Sequence, residues 1–335
     1  MSRHFSGSLS RPGLSHVAPE TGTTVSRPIE IVVDDALAAW LEGVWPFGRC
    51  GPSFPTDGNV LTVIIRNDHA LPLRDLRTNE SLPGAADTRH LRIDGKEFWV
   101  WEVMESSEPS SACSVHMLVD DTGVTITAFG SPFTGWAALT NAFHEAVSLA
   151  GLVPFHAAAI HRPAFRDVSP QTWMILGPSG RGKTTTVLRA LRAGWSAVAE
   201  DVCWLHPATL QVLGSDSSIG VRPPSLALLH SVLPGTRALV GGARENAKLL
   251  VPFTEFDAVR APITLTHVVE LRDRDDVGLG LSESTALRTA MALYEAAGIP
   301  RTDQARATLA STIGRLVDAM CCSALGLGSI DLPFP

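Results

Sequence analysis

The segment Gly177-Pro178-Ser179-Gly180-Arg181-Gly182-Lys183-Thr184-Thr185 carries the plainest chemistry in this chain. Four apolar residues, 173–176, precede it, and Val187, Leu188 and Leu191 follow at helical spacing. Strand, glycine loop and helix therefore come in the order that a phosphate-binding loop requires. The glycines let backbone N–H groups come close to an anion and take positive φ at little cost. The helix that follows turns its partial positive end toward the same anion. Lys183 is placed to reach β- and γ-phosphates, and Thr184 to offer its hydroxyl to Mg²⁺. The expected ligand is a nucleoside triphosphate, ATP first, with Mg²⁺.

Two carboxylates extend this reading. Glu200 and Asp201 stand 17 and 18 residues beyond Lys183, one short helix and one apolar strand away. A β-α-β step can return the chain beside the loop, since parallel strands bring their carboxyl ends to one edge. One carboxylate there can hold Mg²⁺ while the other takes a proton from an incoming hydroxyl. His156, which opens "HAAAIH", is open to two readings. A lone histidine beside an apolar run is ordinarily a packed core residue, but it is also a ready proton carrier. His144-Glu145 lacks the second histidine of a zinc motif, and His161 and His206 read as structural or surface residues. Arg222, Arg244 and Lys248 are surface charges that could also bind a phosphate or a substrate carboxylate.

The elements that must position these groups fall into an α/β pattern with two domains. Residues 1–28 are rich in Ser, Gly, Thr, Pro and Arg and read as a disordered arm. Residues 29–150 read as a strand-rich α+β domain. It has hairpins at Asp94-Gly95 and Asp121-Thr122-Gly123 and closes with a linking helix that Gly151 stops. Residues 151–335 read as the nucleotide domain. "VPFHAAAIHR" is expected as its first strand, "WSAVAEDVCWLH" as a strand after the glycine-loop helix, and "ITLTHVVEL" as another. The glycine-rich, basic stretch 234–250 reads as mobile, and "RATLASTIGRLVDAMCC" as a helix that buries Cys321 and Cys322.

Composition bounds the partners. A net charge of −7 argues against a general affinity for nucleic acid. No stretch of 18 apolar residues suggests a membrane span, and the first residues lack the apolar run of a secretory signal. Five scattered cysteines without C-x-x-C spacing fit a reducing cytoplasm better than a disulfide framework.

Taken together, "HAAAI", "LGPSGRGKTTTVLRALRAGW" and "AVAEDV" resemble the core of the HPr kinase/phosphorylase superfamily over roughly residues 152–225. A weaker echo runs through "AKLLVPF" and "APITLTHVVEL". The resemblance implies a C-terminal P-loop domain of HPr-kinase-like fold. It implies a catalytic set of Lys183, His156 and Asp201, with Asp201 as the base that activates a serine hydroxyl and Thr184 and Glu200 as magnesium partners. Glu200 departs from the family's usual Asp, and "RPAFRDVSP" is an insertion. The C-terminal signature and N-terminal domain of true HPr kinases are missing, so HPr itself is not the expected acceptor. The chain looks nearer to the divergent HPr-kinase-like enzymes that tailor ribosomal peptides, lasso peptides among them. This implies a precursor peptide or small protein with an acceptor serine as partner, and leaves room for homo-oligomerisation. A small-molecule kinase, for free serine for example, and a nucleotide-sensing module without turnover remain alternatives. A transporter-type ATPase would need an LSGGQ-like signature, which the sequence lacks.

Overall fold

The computed structural model describes residues 2–7, 29–44, 61–68, 88–93, 96–103, 113–121, 123–129, 136–166, 168–234, 248–273, 280–298 and 300–326. The architecture is mixed α/β. The chain divides into two compact units, Met1–Gly151 and Leu152–Pro335.

The first unit contains β1 (Ser2–Gly7), β2 (Ile29–Asp34), α1 (Asp35–Val44), β3 (Leu61–Asp68), β4 (Thr88–Ile93), β5 (Lys96–Val103), β6 (Cys113–Asp120), β7 (Gly123–Phe129) and α2 (Trp136–Leu149). Its sheet has the order β1-β2-β3-β7-β6-β5-β4. β2, β3 and β7 are parallel to one another, and the remaining pairs are antiparallel. Burial alternates along β2 and β7: in β2, Ile29, Ile31 and Val33 are buried while the residues between them are half-exposed. Such a period of two gives the sheet one inward face. α1 packs on β2 and β3, and α2 on β5, β6 and β7. Trp40 of α1 meets Phe143 of α2 edge-on at 5.8 Å, so the helices cover the same face.

The expectation of an unstructured arm over residues 1–28 needs correction at its start. β1 pairs antiparallel with β2 from Ser2↔Asp34 to Gly7↔Ile29. Edge pairing draws on backbone N–H and C=O groups, which a polar segment carries as well as an apolar one, and β2 would otherwise present an unpaired edge. Residues 8–28 lie outside the described residues, as do the Asp94-Gly95 hairpin tip and Thr122. The strands on either side of both turns pair in hairpin register, Ile93↔Lys96 and Asp120↔Gly123.

The second unit begins with β8 (Val153–Phe155), β9 (Ala158–Arg162), β10 (Gln171–Leu176), α3 (Lys183–Arg192), β11 (Ser196–Ala199), β12 (Cys203–His206) and β13 (Gln211–Gly214). It continues with β14 (Ser218–Val221), α4 (Leu226–Val232), β15 (Leu249–Pro252), β16 (Ile263–Thr264), β17 (His267–Arg272), β18 (Leu281–Glu283), α5 (Ala286–Ala297), α6 (Asp303–Ala319) and β19 (Cys321–Gly326). The central sheet has the order β11-β9-β10-β17-β19-β18; a second has the order β16-β13-β12-β8, and β14 pairs with β15 alone. Both faces of the central sheet are covered. On one, Ala158, Ile160, Trp173 and Ile175 pack with Val187 and Leu188 of α3. On the other, Ala159, Met174 and Leu176 pack with Leu293 of α5 and Leu309 and Ile313 of α6. Two-sided burial explains why β10 reads as an unbroken apolar run.

Three segments expected as single strands are each two strands in two different sheets. "VPFHAAAIHR" breaks at residues 156–157, "WSAVAEDVCWLH" at 200–202 and "ITLTHVVEL" at 265–266. β8, β12 and β16 lie in the second sheet; β9, β11 and β17 lie in the central one. Strands that bend from one sheet into another in this way make the corners of packed sheets. The helix expected to run through Cys322 ends at Ala319, because Met320 turns extended and starts the path into β19. Cys321 is exposed and Cys322 half-buried, not core. Of the stretch expected to be mobile, residues 249–250 belong to β15, and 235–247 lie outside the described residues. Among the described residues no helix is long and apolar enough to cross a membrane.

Candidate functional site

β9 runs antiparallel to both of its neighbours, β10 and β11. β10 and β11 therefore point the same way, with β9 between them. The residues after β10, the residues after β11 and the residues before β9 all meet at one edge of the sheet. Those residues are the glycine loop, Glu200 with Asp201, and His156. β11 is separated from β10 by β9, and the carboxylates that follow it reach the same edge as the glycine loop.

The glycine loop joins β10 to α3. Gly180 and Gly182 adopt φ of 82° and 89°, the left-handed region that side chains resist. Gly182 is the N-cap of α3 and has no side chain to cap it, and the first turn of α3 holds no acid. The leading N–H groups of a helix have no intrahelical acceptor, so this turn suits an incoming anion. Gly177, Pro178 and Arg181 shape the loop instead of lining the cleft. The Gly177 carbonyl accepts from Lys183 Nζ at 2.8 Å, and the Pro178 carbonyl from the Arg181 N–H at 3.2 Å. The Arg181 side chain is drawn to Asp273, just past the end of β17.

Lys183 is buried, and its second hydrogen bond goes to His156 Nε2 at 3.0 Å. Burial pushes its pKa down, while Asp201 and Glu200 oppose that shift. An ammonium only donates, so His156 Nε2 is the acceptor and the ring proton sits on Nδ1. Nδ1 lies 3.5 Å from Asp201 Oδ1. Burial also lowers the His156 pKa; Asp201 acts in the opposite sense and Lys183 adds to the fall. The His156 N–H donates to the Ala296 carbonyl at 2.7 Å, which fixes the strand break to the C-terminal turn of α5.

Glu200 is 4% exposed. Its Oε1 accepts from Thr184 Oγ1 and its Oε2 from the Gly220 N–H at 3.3 Å. Gly220 has a second use, since a Cβ there would come within 2.9 Å of the Lys248 stem that crosses it. An open cleft collects Ser179, Gly180, Gly182, Lys183, Thr184 and Thr185 of the loop and helix, then Glu200, Asp201, Arg222, Pro224, Ser225 and Lys248. Arg222 and Lys248 thus share the cleft with the loop, whereas Arg244 lies outside the described residues. Thr184, Glu200 and Asp201 offer hard oxygen donors, a set suited to a cation that takes its other ligands from phosphate and water.

Two contributors carry no signal that sequence reasoning could find. Ser225 Oγ shares a 2.8 Å hydrogen bond with Thr185 Oγ1, tying the first turn of α3 to the 3₁₀ turn Pro223–Ser225. Asp216 Oδ2 accepts three successive N–H groups, from Glu200 at 2.6 Å, Asp201 at 2.9 Å and Val202 at 3.3 Å. Burial nonetheless pushes the Asp216 carboxyl up to about 7. An acid in "GSDSS" has no motif around it that would mark these contacts. His161 bonds Thr172, and His206 Nδ1 accepts the Thr209 N–H at 3.1 Å; both serve structure.

No model of a known protein family matches the chain, and no curated protein matches it.

Proposed function

We propose that the second unit is an ATP- and Mg²⁺-dependent kinase domain of HPr-kinase-like type that phosphorylates a serine hydroxyl, with a ribosomally made peptide as the first-choice acceptor. The observation that carries this reading is the chain from Lys183 Nζ through His156 to Asp201 at the mouth of a glycine loop. A buried lysine at a helix N-terminus, a metal-competent Thr184–Glu200 pair and a second, half-exposed carboxylate are the parts that phosphoryl transfer asks of a protein.

ATP with Mg²⁺ supplies the phosphoryl group and the counter-charge when bound. Lys183, now bonded to Gly177 and His156, would exchange these contacts for phosphate oxygens. Thr184 and Glu200 would hold the Mg²⁺. Asp201 accepts the proton of the acceptor hydroxyl as that oxygen takes up the phosphoryl group, and the Nδ1–H of neutral His156 orients the Asp201 carboxylate. Positioning and charge stabilisation then supply most of the rate. Arg222 and Lys248 give the cleft a cationic wall for the phosphates or for a carboxylate on the acceptor.

The test is incubation of the protein with ATP, Mg²⁺ and the peptide encoded nearest its gene, followed by mass spectrometry. Phosphate on a serine of the peptide supports the reading. Higher kcat/KM with free serine would replace the peptide by a small-molecule acceptor, and ATP binding without transfer to any hydroxyl would favour a nucleotide sensor.

A further inference from the structure

Glu200 and Asp201 are neighbours in sequence, yet their carboxylates take different partners in the cleft. Glu200 reaches Thr184 and Gly220, whereas Asp201 faces His156. In a regular strand the ladder would fix such alternation. Here the ladder is absent, because residues 200–202 lie in the gap between β11 and β12 as the chain passes from one sheet to the other. Their N–H groups need acceptors, and in a buried bend such groups are costly when unpaired.

One carboxylate oxygen answers for all three. The N–H groups of Glu200, Asp201 and Val202 converge on Asp216 Oδ2. From the other side, the Ser215 N–H and Oγ both donate to the Val202 carbonyl, at 3.0 and 3.1 Å. Ser215 and Asp216 therefore grip the bend by its donors and by its acceptor at once. Asp216 lies in the link between β13 and β14, so it is held by neighbouring elements and lends their rigidity to the bend.

We infer that Asp216 is a positioning residue: it shapes the bend at residues 200–202 so that Glu200 is presented to the metal side and Asp201 to the acceptor side of the cleft. This rests on the proposed kinase function for its catalytic consequence, but not for the geometry. Asp216 touches no reacting atom; it acts through the backbone of the two acids. A bend that relaxes by about an ångström would leave the cleft open to nucleotide and misplace both carboxylates, an error of the size that costs roughly 100-fold in rate.

The experiment has two arms, with Asp216→Ala and Asp216→Asn in the full chain. The first is amide hydrogen exchange without nucleotide. Loss of the shared acceptor should speed exchange at residues 200–202 by roughly 10-fold or more in the alanine variant, and less in the asparagine variant, whose amide oxygen still accepts. Exchange along β10 and β17 should stay at the wild-type rate. The second arm is kinetic. The alanine variant should lose roughly 10- to 100-fold in kcat and need more Mg²⁺ for half-maximal rate. Its affinity for ATP without metal should be unchanged, and the asparagine variant should recover part of the rate. Wild-type exchange at residues 200–202 in both variants overturns the inference, and Asp216→Asn alone decides this arm if the alanine variant does not fold. Faster exchange with unchanged kcat and Mg²⁺ requirement also overturns it. If the wild-type protein neither binds Mg²⁺-ATP nor transfers phosphate, the kinase reading fails, while the exchange arm still decides whether Asp216 holds the bend.

Discussion

The two units use β-structure in opposite ways. In the first, the strands form one continuous sheet, burial alternates along β2 and β7, and helices cover one face. Its strand backbone donors are consumed in the ladders. In the second, the central strands are buried on both faces, and three of them pass from one sheet into another. Two of those passages, at His156 and at residues 200–202, are where the candidate chemistry sits. A regular ladder leaves nothing for a ligand. A broken one frees donors, turns side chains toward a common edge and needs outside partners, here Asp216, Ser215 and the Ala296 carbonyl, to keep its shape. On this view the first unit responds to mutation in stability, and the second in chemistry.

The sharpest break of that contrast would come at Asp201. Asp201→Asn keeps shape but removes the proposed proton acceptor, so phosphate transfer should fall by roughly 10²- to 10⁴-fold, the usual range for a general base. Rate measurements at saturating ATP check this, and equal rates for the two forms would remove Asp201 from the reaction. In the first unit the matching change is Ile126→Ala, at a site with no exposed surface. It should cost about 2–4 kcal/mol in denaturant unfolding, as buried aliphatic truncations do, with ATP affinity intact. Weakened ATP binding in that variant would blur the division of labour.

His206 tests the buried corner of the second unit. Burial and Arg315 push its pKa down to about 4. Between about pH 4 and 6.5 the unfolded chain then binds a proton that the folded chain refuses, so stability falls as pH drops through that window. His206→Gln should flatten the fall measured by urea titration at several pH values, and an unchanged slope would count against a neutral buried ring. The smallest effect belongs to β1. Deleting residues 1–7 removes one edge strand and should cost on the order of 1 kcal/mol, since edge hydrogen bonds are largely offset by chain entropy. The loss should appear as faster amide exchange in β2, and unchanged exchange there would show that β1 protects nothing.

Part of this arrangement is legible in the amino-acid sequence. The glycine loop depends on neighbours along the chain, and Gly177, Gly182, Lys183 and Thr184 keep their meaning wherever the loop sits. Glu200 and Asp201 can be placed by counting one helix and one strand. The strand breaks cannot be read, because apolar runs flank the bends in "VPFHAAAIHR" and "WSAVAEDVCWLH" on both sides, and burial on two sheets looks like burial on one. Asp216 is hidden for a related reason: its partners are backbone N–H groups, which have no letter in the sequence. His156 stays ambiguous until its two ring nitrogens have partners. β1 escapes notice because edge pairing asks little of side chains.

The central claim is that the cleft at the broken strands takes the phosphates of a nucleotide through Lys183. Calorimetric titration of ATP with Mg²⁺ into the wild-type protein and into Lys183→Ala tests it directly. Saturable binding by the wild type, weakened by roughly 10²-fold or more in the variant, is the expected result for losing a buried charge contact to phosphate. Equal affinity in both proteins, or no binding by the wild type, would contradict the account.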